Sequence, residues 1–253
     1  MVSPGFTTLV KREVVRFLKV PNQTILPAFV SSLIFLIIFG KLIGSHLSQI
    51  QGIDYLVFII PGLIMMAAIN NAFANNSSSV FIATWLKYIE DVLITPISYL
   101  ELAVAYMIGG VTRGTLTSIG IIIIGMFFSS TLFTHPLLVF LMIILGSMLF
   151  ALLGTIAGLW ATSFEKLGIW TTFVLTPLTF FGGVFHSLSL LPPLLAKISL
   201  FNPIFYLVDG LRYAMIGISD ASIMLDVIVT FACVGIALTW NVILFKRGYR
   251  LKG

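Results

Sequence analysis

Charge is what this sequence has least of. Only 9% of its 253 residues are Asp, Glu, Lys or Arg, 59% are hydrophobic, and mean hydropathy is +1.12. Soluble domains carry about a quarter charged residues, so that class is excluded. Cysteine is almost absent: Cys233 stands alone in an apolar run, which rules out an intrachain disulfide and suggests no cysteine-based metal site. No Gly-rich loop ends in Lys-Ser or Lys-Thr, so the chain cannot bind ATP by that route. His46, His135 and His186 stand singly, without an HExxH or HxxxD companion, and no nucleophile elbow or acid-base pair appears. Asp54, Glu90, Asp91, Glu101, Glu165, Asp209, Asp220 and Asp226 fall at or near the ends of apolar stretches. That leaves the bilayer midplane almost bare of the carboxylates that ion-driven carriers use, and both a membrane enzyme and a secondary transporter lose ground.

What is present is length of apolar chain. A bilayer core about 30 Å thick needs roughly 20 apolar residues per helix. Windows of that kind fall at 24–44, 55–74, 102–128, 137–162, 167–185 and 223–245, so the fold class is an all-α integral membrane protein with six transmembrane helices and a single domain over 1–253. No signal-peptide arrangement opens the chain, and the first apolar run is expected to stay as a membrane helix. Before it, in 3–20, Phe6, Leu9, Val10, Val14, Phe17 and Leu18 recur at helical spacing with Arg12, Arg16 and Lys19 on another face, the pattern of an amphipathic interfacial helix ended by Pro21.

Asn70, Asn71, Asn75 and Asn76 lie near the end of the second span and need a neighbouring helix or the water boundary as partner. In the third, Arg113 has two open registers: deep in the bilayer if the helix enters near Leu102, or an interfacial anchor if it enters near Gly114. Gly146, Ser147, Ala151, Gly154, Ala157, Gly158 and Ala161 make a small-residue stripe in the fourth, which suits close packing within the chain or a dimer seam. Between the fifth and sixth, Pro192-Pro193 and Asn202-Pro203 punctuate apolar pieces too short to cross, which predicts short external re-entrant helices within 188–217.

Two internal stretches carry the functional signal. In 84–96, charged Lys87, Glu90 and Asp91 interleave with Trp85, Ile89, Val92 and Leu93, and Thr95-Pro96 ends the run. An ordinary solvated loop would not need those apolar residues. The second is the external stretch, whose Phe201, Phe205, Tyr206 and Tyr213 could form an aromatic lid, or anchor singly at the interface, with Arg212 as a contact for an anionic headgroup. With both termini inside, ten basic residues fall on the cytoplasmic side, against Lys41, Lys197 and Arg212 outside and Arg113 unassigned. That asymmetry obeys the positive-inside rule and places the 84–96 helix in the cytoplasm.

The basic helix before the first span, the Ile89-Glu90-Asp91-Val92-Leu93-Ile94-Thr95-Pro96-Ile97 segment, the six spans, and the Leu191-Pro192-Pro193 to Asn202-Pro203-Ile204-Phe205 stretch occur in that order. Together they resemble the type-2 ABC exporter permeases, and Gly109-Gly110-Val111-Thr112-Arg113-Gly114 is similar to their YadH-type bacterial branch. The resemblance implies a transport subunit rather than an enzyme, with no cofactor of its own and ATP and Mg on a partner cytoplasmic ABC ATPase. It implies a homodimer in the bacterial inner membrane, with no nucleic-acid partner. The cargo would be an amphipathic, lipid-linked, polysaccharide or drug-like substrate. Trp85, Lys87, Glu90, Asp91, Leu93, Thr95 and Pro96 would then couple to the ATPase, with Arg113, Phe201, Phe205, Tyr206 and Arg212 on the path or its gate. A membrane scaffold or enzyme handling lipid intermediates is the alternative.

Overall fold

The computed structural model describes residues 3–43, 49–128 and 133–249, without the side chains of 40–43. His46, the end of the first span at Gly44, the Lys41 side chain, Arg250 and Lys252 lie outside what is described.

Helix α1 (Pro4–Leu18) starts where the Ser3 hydroxyl accepts from Phe6 N and Pro4 takes a position needing no N–H. α2 (Pro21–Thr24) is a single turn, and α3 (Leu26–Phe35) continues as a π-helix over Leu36–Ile43. A tight turn at Gln51 and Gly52, both at positive φ, leads to α4 (Tyr55–Trp85), whose first turn is capped by the Asp54 carboxylate. α5 (Ile89–Leu93) is one short helix, followed by α6 (Tyr99–Phe128) and α7 (Pro136–Trp160). α8 (Phe164–Ile169), a π-turn at Trp170–Leu175 and α9 (Thr176–Phe181) follow one another without a break. A 3-10 turn at Leu188–Leu190 precedes α10 (Pro193–Leu200) and α11 (Pro203–Ile216), and α12 (Ile223–Lys246) closes the described chain.

The described residues thus form an all-α membrane protein. Five helices are long and apolar enough to cross a bilayer: Pro21–Phe39, α4, α6, α7 and α12. The expected fifth span is not among them; it is the α8–π–α9 run, whose 18 residues reach about 27 Å at 1.5 Å each. α10 and α11 bend by 89° at Phe201–Asn202, and each alone is too short to span.

α4 is the axis of the bundle. Of its most apolar window 78% is buried, against 11% for the first span, because α6, α7 and α11 surround it. The small-residue stripe of α7 makes this possible: a Cβ at Gly154 would lie 2.5 Å from the Phe73 carbonyl oxygen, and one at Gly158 2.7 Å from that of Ser77. Every residue of the stripe is buried inside this one chain, so it packs helices within the subunit and is not a dimer seam. Asn76 finishes the same contact, its Nδ2 donating to Thr155 Oγ1 of α7 at 3.1 Å, whereas Asn71 Nδ2 is answered within α4 by Ala67 O at 3.0 Å.

A second, smaller core joins Leu9 of α1, Val80 and Ala83 of α4, Ile89 of α5, Leu102 and Tyr106 of α6 and Phe245 of α12. It ties together the end of the molecule that carries α1 and α5.

Candidate functional site

That end is built on a buried charge. Glu13 has no exposed surface, and its neighbour in α6 is Gly109, where a Cβ would come within 2.6 Å of Glu13 Cβ. Arg12 Nη2 donates to Glu13 Oε1 at 2.9 Å and to the Tyr106 hydroxyl at 3.2 Å, while Arg16 Nη2 donates to Asn75 O and Oδ1 at 2.7 and 3.0 Å. Partial burial works against the Arg12 charge, but Tyr106 and Glu13 outweigh it, so the guanidinium titrates above its ordinary value and stays charged. α1 therefore lays Leu9, Glu13 and Phe17 on the protein and is clamped to α4 and α6 by its arginines. Glu13 carries no signal in the sequence, where it is one acid among the basic residues of α1, and only the packing against Gly109 buries it.

Beside α1 lies the expected coupling segment. Only Ile89–Leu93 of the 84–96 stretch forms a separate helix, since Trp85 completes the last turn of α4 and Lys87 breaks the path at φ 60°. Ile89 is buried in the second core, and Val92 and Leu93 are half-buried against it. Facing outward are Trp85, Leu86, Lys87, Glu90, Asp91, Ile94, Thr95 and Pro96, with Leu86 64% and Ile94 84% exposed. Trp85 also stacks near Phe81 and Phe164, tying the tip to the start of α8. Leu86 and Ile94 belong to this outward apolar surface beside the expected residues; that Ile89 is buried while Ile94 faces outward is decided by packing, not by residue type. A groove of about 470 Å³ runs between α1 and α5, lined by Gly5, Leu9, Arg12, Tyr88, Val92 and Thr95. Burial pushes the Tyr88 phenol up, so it remains neutral there.

Further along the bundle, α2, α3, α4, α6 and the π-turn line an open cavity of about 360 Å³, into whose largely apolar wall Gln23, Ser31, Asn70, Arg113 and Thr171 bring polar groups. Arg113 is 9% exposed and its Nη2 donates to Thr24 O at 2.8 Å, level with the start of the first span.

The expected external site residues do not converge. Phe201 is 91% exposed at the bend, whereas Phe205 is buried and meets Tyr206 edge-on. Tyr206 donates its hydroxyl to Leu200 O, and Tyr213 stacks on His135. Arg212 is 1% exposed, donates to Gly183 O, lies 4.0 Å above the Phe58 ring and pairs with Asp209 at 3.9 Å. Its charge is held inside the chain and is not presented to an approaching headgroup. Asp209 in turn accepts from Asp220 N and Ala221 N, which fixes the turn into α12.

A bundle of apolar helices around a buried axis, with a cavity into which several polar side chains project and a charged tip at one end, is the organisation of a polytopic membrane protein. The ABC-2 type transporter family model matches residues 4–216, and the chain belongs to that family. It is 39% identical over 241 residues, 94% of each chain, to the inner membrane transport permease YadH of Escherichia coli K12. It is 24% identical over 222 residues, 86% of this chain and 84% of the other, to nodulation protein J of Rhizobium leguminosarum bv. viciae. The corresponding protein of Rhizobium meliloti is 23% identical over 212 residues, covering 82% of this chain and 79% of the other. The chain is accordingly a transport permease subunit and not an enzyme.

Proposed function

We propose that this chain is the membrane subunit of an ATP-driven exporter of the inner membrane, powered by a separate cytoplasmic ATPase that docks on the tip around α5. The observation that carries this reading is the combination of exposure and anchoring at that tip. Trp85, Leu86 and Ile94 offer apolar surface beside Lys87, Glu90 and Asp91, while Ile89 fastens the helix into the second core. An apolar centre with a charged surround is what a protein partner recognises. A helix rooted between α4 and α6 would pass a rigid-body push from the ATPase to both. YadH is named as a transport permease, which supports the same assignment here.

The pathway itself forms between two copies. The cavity lies between the first span, α4, α6 and the π-turn, and Pro27 and Ser31 at its edge are exposed on the surface of the single chain. Amides and a guanidinium facing acyl chains would go unsatisfied, so a second copy covers that side and encloses water with them. Phe201 and Tyr206 at the bend of α10 and α11 then close the external end.

The coupling test is Ile94→Asp with Glu90→Ala, made in the chain co-expressed with its ATPase. Both should insert and fold normally, while co-purified ATPase and cargo-stimulated hydrolysis fall about tenfold or more for Ile94→Asp, since a charge now faces the apolar centre. Full coupling in a well-folded Ile94→Asp variant would sink the docking assignment. Leu93→Asp is a poorer test, because Leu93 is half-buried and its loss disturbs the tip itself.

A further inference from the structure

The polar cavity contains an unanswered charge. Arg113 is buried, yet among the described residues its guanidinium makes a single hydrogen bond, to Thr24 O, and its Nε has no partner. All nine carboxylate side chains of the protein are among the described residues, and none pairs with it. Gln23 and Asn70, which line the same cavity, make no side-chain hydrogen bond within the described chain. An uncompensated buried cation is costly, and the chain supplies neutral donors around it instead of an acid.

We infer that this cavity is a binding site for the anionic headgroup of an amphiphile, a phosphate-class oxyanion held by Arg113 with the Gln23 and Asn70 amides. The guanidinium fork suits a tetrahedral oxyanion, which takes two parallel N–H donors and still has oxygens for the amides. A cationic amphiphile would be repelled, and a neutral one would leave the arginine unpaired. The headgroup has two sources, a bilayer phospholipid or a transported cargo; assigning it to cargo rests on the export reading above, whereas the binding does not.

The test uses the purified full chain in phosphatidylcholine nanodiscs, with bound probe counted by native mass spectrometry. Dodecyl phosphate should bind at least tenfold more tightly than dodecyl maltoside or dodecyltrimethylammonium. Arg113→Gln should remove that preference, Arg113→Lys keep part of it, and Asn70→Leu weaken it severalfold. Equal affinity of the unaltered chain for the three probes overturns the site, and this arm needs no variant to fold. So does unchanged phosphate preference in Arg113→Gln. Adding phosphatidylglycerol separates the sources: displacement of dodecyl phosphate assigns the site to membrane lipid and ends the cargo assignment, and persistence supports cargo. Binding without ATPase coupling at α5 would refute export and leave the site standing, and coupling without binding would do the reverse.

Discussion

At the scale of single residues the molecule depends on side chains that are missing as much as on those present. Gly154 lets α7 rest on the α4 backbone at Phe73, where even a methyl group would overlap a carbonyl oxygen that has nowhere to move. Gly154→Ala should therefore cost about 1–3 kcal/mol through separation of the two helices. Thermal unfolding in detergent checks it, and an unchanged midpoint would show that α7 stands further from α4. The stripe was visible as a spacing of small residues, but only the structure says which helix it faces. Glu13 and Arg113 illustrate the opposite limit. Both residue types were plain in the sequence, yet one is neutralised by Arg12 and the other faces a cavity without an acid. Nothing in residue identity separates those outcomes.

At the scale of elements, caps and prolines made the boundaries legible. Ser3-Pro4, Asn202-Pro203 and Ser222 each begin a helix, because a side-chain oxygen answers a free N–H there. Gly217 ends α11 at φ 76°, a conformation that costs a residue with a Cβ. The second span runs eleven residues beyond the expected 74, to Trp85, since Asn75 and Asn76 there are buried against α1 and α7. The bent pair α10–α11 is held by Asp209, which joins α11 to the turn before α12 and answers Arg212. Asp209→Ala strands a buried guanidinium and two backbone donors, so a loss of about 3–5 kcal/mol is expected, with α10 and α11 opening first. Amide hydrogen exchange over 193–222 checks this; protection equal to the parent chain would mean that packing alone holds the pair.

At the scale of the whole molecule, orientation is the claim on which coupling depends. Because Cys233 is the single cysteine, Cys233→Ala leaves a background for reporter thiols. Leu86→Cys and Phe201→Cys are both placed at exposed sites at opposite ends of the bundle. An impermeant maleimide added to right-side-out vesicles should label the cysteine at 201 and reach the one at 86 only after permeabilisation. The reverse pattern would put the tip outside and remove any contact with a cytoplasmic ATPase.

The sequence by itself determined the class. Long apolar runs can satisfy their backbone in a bilayer only as helices, and the order of polar islands among them marks the family. Tertiary structure decided which of those helices is central, because burial is a property of neighbours: α4 and the first span are both apolar, and only one is enclosed. It also decided which charges are answered. Arg212 finds Asp209 one turn away within α11, Arg12 finds Glu13 inside a seam with α6, and Arg113 faces a cavity shared with segments distant in sequence and lined by no carboxylate.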